Sequence, residues 1–305
     1  MLLEPRLVKL STRTGVEVRR TLPHAKLRRI GAWVFVDHMG PTPQTDGMVV
    51  AAHPHTGLQT MTWLFEGKVE HRDSVGSVQN IEPGQLNLMT AGRGISHSEL
   101  SQLGPAAMHA AQLWIALPET TRNVAPSFQH IAELPNLPLA DGASGKLLVG
   151  ELLGVSSPAR VHTPLVAAEL NLAAGATLHL PVNSNFEHGI LVVEGEALVE
   201  GSSVGVTNLE FVAAGVSELK LEAVGGHPLK VLLIGGQPFD EPIVMWWNFI
   251  ARSHEEIVAL RQAWNDYENA ADDRTFGEVF STFDDEIGGW IPAPELPNLT
   301  LRARV

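Results

Sequence analysis

Cysteine is absent from this chain of 305 residues. Disulfides, thiolate nucleophiles and cysteine-ligated zinc or iron–sulfur centres are therefore excluded. Any bound metal ion must be held by nitrogen and oxygen ligands, and histidine is available for this at 13 positions.

Positive charge is scarce, with 21 lysines and arginines against 34 acidic residues and a formal net charge of −13. A protein that binds duplex nucleic acid normally carries a basic face. The densest basic cluster, "HAKLRRI" at residues 24–30, is too short to provide one. We therefore expect no direct contact with nucleic acid, and the negative field also argues against attachment to anionic lipid.

Long apolar runs are also missing. No stretch approaches the roughly 20 apolar residues of a membrane span. The first residues, "MLLEPRLVKLSTRTG", lack the apolar core and cleavage-like site of a secretory signal. These features predict a cytoplasmic protein with no membrane partner.

Glycine and proline are plentiful, at 28 and 20, and the apolar residues come in short runs. This pattern favours strands and turns over a helical bundle. The second half weakly repeats the first, because "MTWLFEGKVEH" resembles "GILVVEGEALV" and "QLNLMTAG" resembles "NLEFVAAG". We interpret this as an internal duplication of one all-β module, with a linker near residues 125–145.

One helix is expected near the C-terminus, in "SHEEIVALRQAWNDYE". Ser253 and Glu256 have the spacing of a capping box. An apolar stripe that should pack on a sheet or across the two modules follows at helical spacing: Ile257, Leu260, Trp264 and Tyr267.

The strongest functional signal is a pair of histidines in "HPHTG". Residues i and i+2 of a strand project from the same face, so His53 and His55 should lie side by side. The same spacing recurs at His97 and Glu99 in "GISHSE". Two such pairs on neighbouring antiparallel strands would converge inside a barrel. This nitrogen and oxygen set suits one divalent ion such as Fe(II), Mn(II), Co(II), Ni(II), Cu(II) or Zn(II), with positions left open.

The histidines also allow interpretations other than a metal site. A single His-x-His is common at a solvated strand end, so the prediction depends on the joint pattern within one module. We expect His38 and His109 to hydrogen-bond the backbone or to orient a metal ligand. The segment "EHRD" at residues 70–73 is interpreted as a charged strand end, solvated or paired.

Four segments together resemble the pirin family of the cupin superfamily: "HPHTG", "EGKVEHRDS", "PGQLNLMTAGRGISHSE" and "QLWIALP". The resemblance implies an all-β bicupin of two antiparallel β-barrel (jelly-roll-like) domains with a C-terminal α-helix. We expect a metal-binding cupin at residues 1–130 and a second cupin with the helix at 131–305. The resemblance also implies one metal ion, usually iron, with a ligand set of His53, His55, His97 and Glu99.

The second module departs from this ligand pattern. Counting from the glycines that the two halves share places only one potential ligand among the four equivalent positions, which are Pro181, Asn183, Lys220 and Glu222. His179 and His188 are nearby but out of register. The second cupin is therefore predicted to bind no metal.

The resemblance leaves three functional hypotheses. Bacterial pirins include quercetin 2,3-dioxygenases, which implies a small aromatic, flavonol-like substrate, dioxygen and Fe(II). Glu99 then either stays bound to the metal or leaves it to act as the catalytic general base. Nuclear pirins act as transcriptional co-regulators, so the alternative is a redox-sensing module that binds a partner protein without turnover. A metabolite isomerase is a third reading, which the apolar side chains of Met61, Trp63 and Phe65 make less attractive.

Overall fold

The computed structural model describes residues 1–10, 17–42, 48–101, 107–266, 279–280 and 289–305. Tyr267, the last residue of the predicted helical stripe, lies outside these ranges. The described residues form 24 strands and one α-helix. The strands are β1 (Leu2–Leu3), β2 (Arg6–Lys9), β3 (Glu17–Leu22), β4 (Trp33–Thr42), β5 (Val49–His55), β6 (Leu58–Glu66), β7 (Val69–Asp73), β8 (Val78–Ile81), β9 (Leu86–Thr90), β10 (Ile95–Ser101), β11 (Met108–Ala116), β12 (Ser127–Ile131), β13 (Ala143–Leu152), β14 (Val155–Ser156), β15 (Leu165–Leu172), β16 (Thr177–Pro181), β17 (Glu187–Glu194), β18 (Glu196–Val199), β19 (Ser202–Val204), β20 (Leu209–Val212), β21 (Glu218–Val224), β22 (Leu229–Gly236), β23 (Val244–Trp246) and β24 (Phe249–Ala251). The helix is α1 (His254–Asn265).

The chain divides into two compact units that are not linear halves. Unit 1 comprises residues 1–8, 18–38 and 131–239, and unit 2 comprises residues 9–17, 39–130 and 240–305. The predicted boundary near residue 130 is thus one of several points at which the chain passes between the units. The first residues belong to unit 1 because β1 pairs antiparallel with β20.

Unit 1 is built from two antiparallel sheets. The seven-stranded sheet has the order β1-β20-β17-β22-β15-β13-β14, and the four-stranded sheet has the order β16-β21-β18-β19. Strand β16 shows why they pack face to face: Leu178 and Leu180 are buried while the residues between and beside them are exposed. A strand with one apolar face packs against a second sheet. The expected all-β, jelly-roll-like fold is confirmed, as a sandwich of separate sheets rather than a closed barrel.

Unit 2 repeats the arrangement. One sheet contains β12, β9, β6 and β11 in that order, and the other has the order β5-β10-β7-β8. Strands β6 and β9 are buried almost throughout. The C-terminal segment adds to β5, because the Ile291 N–H donates to the carbonyl of Ala52 and the Ile250 N–H donates to that of Thr56. The C-terminal segment therefore covers the edge of the histidine-bearing strand, which is the terminal strand of its sheet.

Gly57 permits this close approach of the C-terminal segment. Its φ is +69°, and a Cβ added there would lie 2.2 Å from the carbonyl oxygen of Ile250. Only glycine combines a positive φ with such a short backbone approach. This accounts for the last residue of "HPHTG".

Helix α1 packs on unit 2 through its apolar stripe. Ser253 is the N-cap and its Oγ accepts a hydrogen bond from the Glu256 N–H at 3.2 Å. Ile257 and Trp264 are fully buried in a cluster that includes Phe249. Within the described part of the chain, no helix is long and apolar enough to cross a membrane.

Candidate metal centre

Strands β5 and β10 bring three imidazoles together. In their antiparallel register His97 lies opposite His53, and Ile95 lies opposite His55. The ring centroids are 4.3 Å apart for His53 and His97, 5.0 Å for His55 and His97, and 5.1 Å for His53 and His55. One nitrogen from each ring lies within 4.8 Å of the others, a geometry that could hold a metal ion.

These side chains are almost closed off from solvent. The exposed fraction is 7% for His53, 1% for His55, 1% for His97 and 9% for Glu99. Burial lowers the pKa of His53 to about 4 and holds the pKa values of His55 and His97 well below the usual histidine value. The three rings are therefore neutral near pH 7, and the neutral imidazole is the form that binds a metal.

Each of the three rings has one nitrogen engaged and one available. The Nδ1–H of His53 donates to the carbonyl of Ala51 at 2.9 Å, which leaves Nε2 as a lone pair. The backbone of Asn248 hydrogen-bonds the ring of His55, whose Nδ1 is buried without a partner. The Nε2 of His97 is also buried without a partner. Metal-bound histidines typically use their second nitrogen in this way, so the residues present fit a divalent ion.

Glu99 is placed differently from the three histidines. A β-bulge between His97 and Glu99 shifts the register, so that Glu99 lies opposite Val50 on β5 and opposite His71 on β7. Its carboxylate groups with His97 and His71 within 4.8 Å. The four residues predicted from sequence thus lie in two overlapping triplets that share His97. Burial raises the pKa of the Glu99 carboxyl, which strengthens it as a base.

His71 is the site residue that sequence reasoning missed. The sequence predicts a charged strand end, solvated or paired, for "EHRD"; its side chains do pair, but His71 and Asp73 are buried, at 4% and 1% exposed. His71 Nε2 lies 3.0 Å from Asp73 Oδ2, and its Nδ1 lies 3.3 Å from Nδ1 of His97. Glu70 and Arg72, on the other face of β7, do form the expected ion pair, at 2.7 Å. The i and i+2 spacing of His71 and Asp73 was the available signal, the same that marked His53 and His55.

Aromatic rings contact this cluster at His55 and His71. Trp114 on β11 meets the ring of His55 edge-on, with centroids 5.0 Å apart. Met61, Trp63 and Phe65 are buried on β6, as a core or pocket wall should be. His109 is buried against Phe65, at 4.8 Å between ring centroids.

His38 and His109 belong to neither of the two groups of potential metal ligands. Both are buried, at 1% and 2% exposed. Among the described residues, both groups of three potential metal ligands contain His97.

Unit 1 offers a different environment at the corresponding strand pair. In β16 and β21 the buried cross-strand neighbours are leucines, with Leu180 opposite Leu219 and Leu178 opposite Leu221. His179 is exposed and pairs with Glu218 at 2.9 Å. Pro181 and Asn183 are exposed. The Lys220 ammonium pairs with the Glu222 carboxylate at 2.8 Å.

Two jelly-roll-like sandwich units, one of them carrying a buried cluster of neutral imidazoles, define a two-module cupin protein. The Pirin family model matches residues 15–115, and the model of the pirin C-terminal cupin domain matches residues 167–272. The chain therefore belongs to the pirin family.

Relatives extend the match over nearly the whole chain. A Pseudomonas aeruginosa protein named "Putative quercetin 2,3-dioxygenase" is 42% identical over 285 residues, which cover 93% of this chain and 87% of that protein. The crystal structure of quercetin 2,3-dioxygenase from Acinetobacter baumannii is 41% identical with a TM-score of 0.90, covering 99% of this chain and 97% of that one. A bacterial pirin from Escherichia coli in complex with nickel(II) shares the fold, with 18% identity, a TM-score of 0.61, and coverage of 78% and 99%.

Proposed function

We propose that this pirin-family protein binds one divalent metal ion, Fe(II), through His53, His55, His97 and Glu99. We further propose that it is a dioxygenase of the quercetin 2,3-dioxygenase type, acting on a flavonol-like substrate in the cytoplasm. The observation that carries the proposal is the convergence of three neutral, buried imidazoles, each with a nitrogen available to a metal. The named activity of relatives that are 41–42% identical supports the choice of reaction.

In this mechanism three of the proposed ligands only hold the ion, and Glu99 also moves a proton. The bound ion would supply a Lewis-acidic centre that lowers the pKa of a substrate hydroxyl. His53, His55 and His97 hold it from two strands of one sheet. Glu99, the fourth proposed ligand, would also take the hydroxyl proton on a carboxylate oxygen as a general base. Trp114 presents an apolar edge to the cluster that helps to exclude water.

One observation favours the alternative function. The four predicted ligands are only 1–9% exposed, and a closed site suits a redox-sensing centre that changes how the surface meets a partner protein. The net charge of −13 is compatible with a protein partner rather than DNA. On this reading the metal ion would be held by the same residues without catalytic turnover.

Oxygen uptake with quercetin tests the dioxygenase. Protein loaded in turn with Fe(II), Mn(II), Co(II), Ni(II) and Cu(II) should consume dioxygen with at least one ion, and His97→Ala should consume none. If the protein consumed no dioxygen with any of these ions, the dioxygenase activity would be refuted for this substrate. A partner protein captured in only one oxidation state of iron would instead support the sensing module.

A further inference from the structure

We infer that His71 and Asp73 act as positioning residues, which fix the tautomer of His97 and direct its Nε2 towards the metal. The inference rests on the proposed metal site and deepens it. It also assigns to His71 a role outside the ligand set, although His71 lies within ligand distance of His97 and Glu99.

The hydrogen-bond chain begins at the Asp73 carboxylate. Its Oδ1 accepts from the backbone N–H groups of Val75 and Ser77, each at 3.0 Å. Its Oδ2 lies 3.0 Å from Nε2 of His71. An ionised carboxylate only accepts hydrogen bonds, so the proton of the His71 ring must be on Nε2.

The tautomer of His71 then determines that of His97. A neutral imidazole with its proton on Nε2 presents Nδ1 as an acceptor. Nδ1 of His71 lies 3.3 Å from Nδ1 of His97, so a neutral His71 accepts the proton that His97 carries on Nδ1. The Nε2 of His97 is left as a bare lone pair, and this is the atom that is buried without a partner. Since both nitrogens of His71 are engaged, His71 has none to offer a metal.

Packing holds the chain of hydrogen bonds in place. The ring of His71 stacks on Phe128, with 4.4 Å between centroids and 17° between planes. Asp73 lies opposite His97 in the register of β7 and β10. The turn after Asp73 is tied to β10, because the Ser74 N–H donates to the carbonyl of Ser96 at 2.9 Å. Without this support the His97 ring could carry its proton on Nε2, which would block that nitrogen from binding a metal.

Two variants break the chain at different points. Asp73→Asn can donate an amide N–H to Nε2 of His71, which moves the ring proton of His71 to Nδ1 and that of His97 to Nε2. His71→Phe keeps a ring against Phe128 but removes both nitrogens. We expect each to weaken Fe(II) binding, measured by competition with a chelator, by about 10–100-fold. Glu70→Gln, on the opposite face of the same strand, is the matched control and should bind Fe(II) as the wild type does.

Nitrogen-15 NMR of the imidazoles in metal-free protein reads the tautomer directly. The wild type should carry the His97 proton on Nδ1, and Asp73→Asn should move it to Nε2, with circular dichroism verifying the fold. Wild-type Fe(II) affinity in both folded variants, or a His97 proton on Nε2 in the wild type, would overturn the inference. A wild-type protein that bound no metal would refute the proposed function instead, and the NMR result would still decide whether Asp73 sets the tautomer.

Discussion

His53 lies directly opposite His97 in the antiparallel pair of β5 and β10, with their ring centroids 4.3 Å apart. This pairing joins two segments that are more than forty residues apart in the sequence. It places both rings against His55 and makes His97 the member common to both groups of potential ligands. His97 is therefore the residue whose loss should matter most for metal binding.

The first prediction is that His97→Ala abolishes metal binding. Elemental analysis of protein purified from cells should find about one ion per wild-type chain and none in the variant, because removing a ligand costs more than the roughly 10–100-fold loss typical of outer partners. His179→Ala is the control, since His179 is an exposed histidine of unit 1 and should leave the metal content unchanged. Equal metal in His97→Ala and wild type would show that the ligand set is wrong.

The second prediction separates two roles of Glu99. Glu99→Gln keeps the size of the side chain and one oxygen ligand but removes the charge and the basicity. We expect the variant to retain metal with lowered affinity and to lose about 100-fold or more of its oxygen uptake with quercetin, the usual contribution of a general base. Titration with Fe(II) and an oxygen electrode measure the two effects separately. Full oxygen uptake in metal-loaded Glu99→Gln would exclude Glu99 as the base.

The sequence predicted the strands that carry the cluster more successfully than the contacts between strands. His53, His55 and His97 could be found because side chains alternate along a strand with a period of two. His71 and Asp73 show the same i and i+2 spacing, but their place beside His97 depends on the pairing of β7 with β10, which no local pattern specifies. The bulge that turns Glu99 towards His71 is equally invisible to a period of two.

The organisation of the chain was also only partly predictable. The internal repeat indicated two all-β modules, and both sandwiches are present. No local pattern indicates that β1 completes a sheet of the second repeat, because edge pairing depends on backbone groups that every residue has. A closed barrel and an open sandwich show the same alternation of buried and exposed residues, so the pattern could not separate them.

The third prediction concerns the pH dependence of stability in the metal-free protein. Burial lowers the pKa values of His53 and His188 to about 4, whereas an unfolded chain takes up these protons near pH 6.5. The unfolded state therefore binds more protons between these values, and the free energy of unfolding should fall as the pH drops from about 6.5 to about 4. We expect a loss on the order of a few kcal/mol, measured by denaturant unfolding across this range.

His188→Leu isolates part of this effect. His188 is fully buried in unit 1 and both of its ring nitrogens lack partners, so leucine replaces it without breaking a hydrogen bond. The variant should be about as stable as the wild type at pH 7 and less sensitive to acid. An unchanged pH profile would mean that His188 is not the neutral, buried group described here.

The fourth prediction tests how the helix supports the histidine-bearing strand β5. Trp264 Nε1–H donates to the carbonyl of Ile291 at 2.8 Å, and the Ile291 N–H donates to the carbonyl of Ala52 beside His53. Trp264→Ala should lower the free energy of unfolding by about 3–5 kcal/mol, because it empties a fully buried position. Fe(II) affinity should fall as well, since β5 loses the support of this segment.

Val258→Ala, at an exposed position of the same helix, should change stability by less than about 0.5 kcal/mol and leave Fe(II) affinity unaltered. If Trp264→Ala bound Fe(II) as tightly as the wild type, the C-terminal segment would have no part in positioning the site.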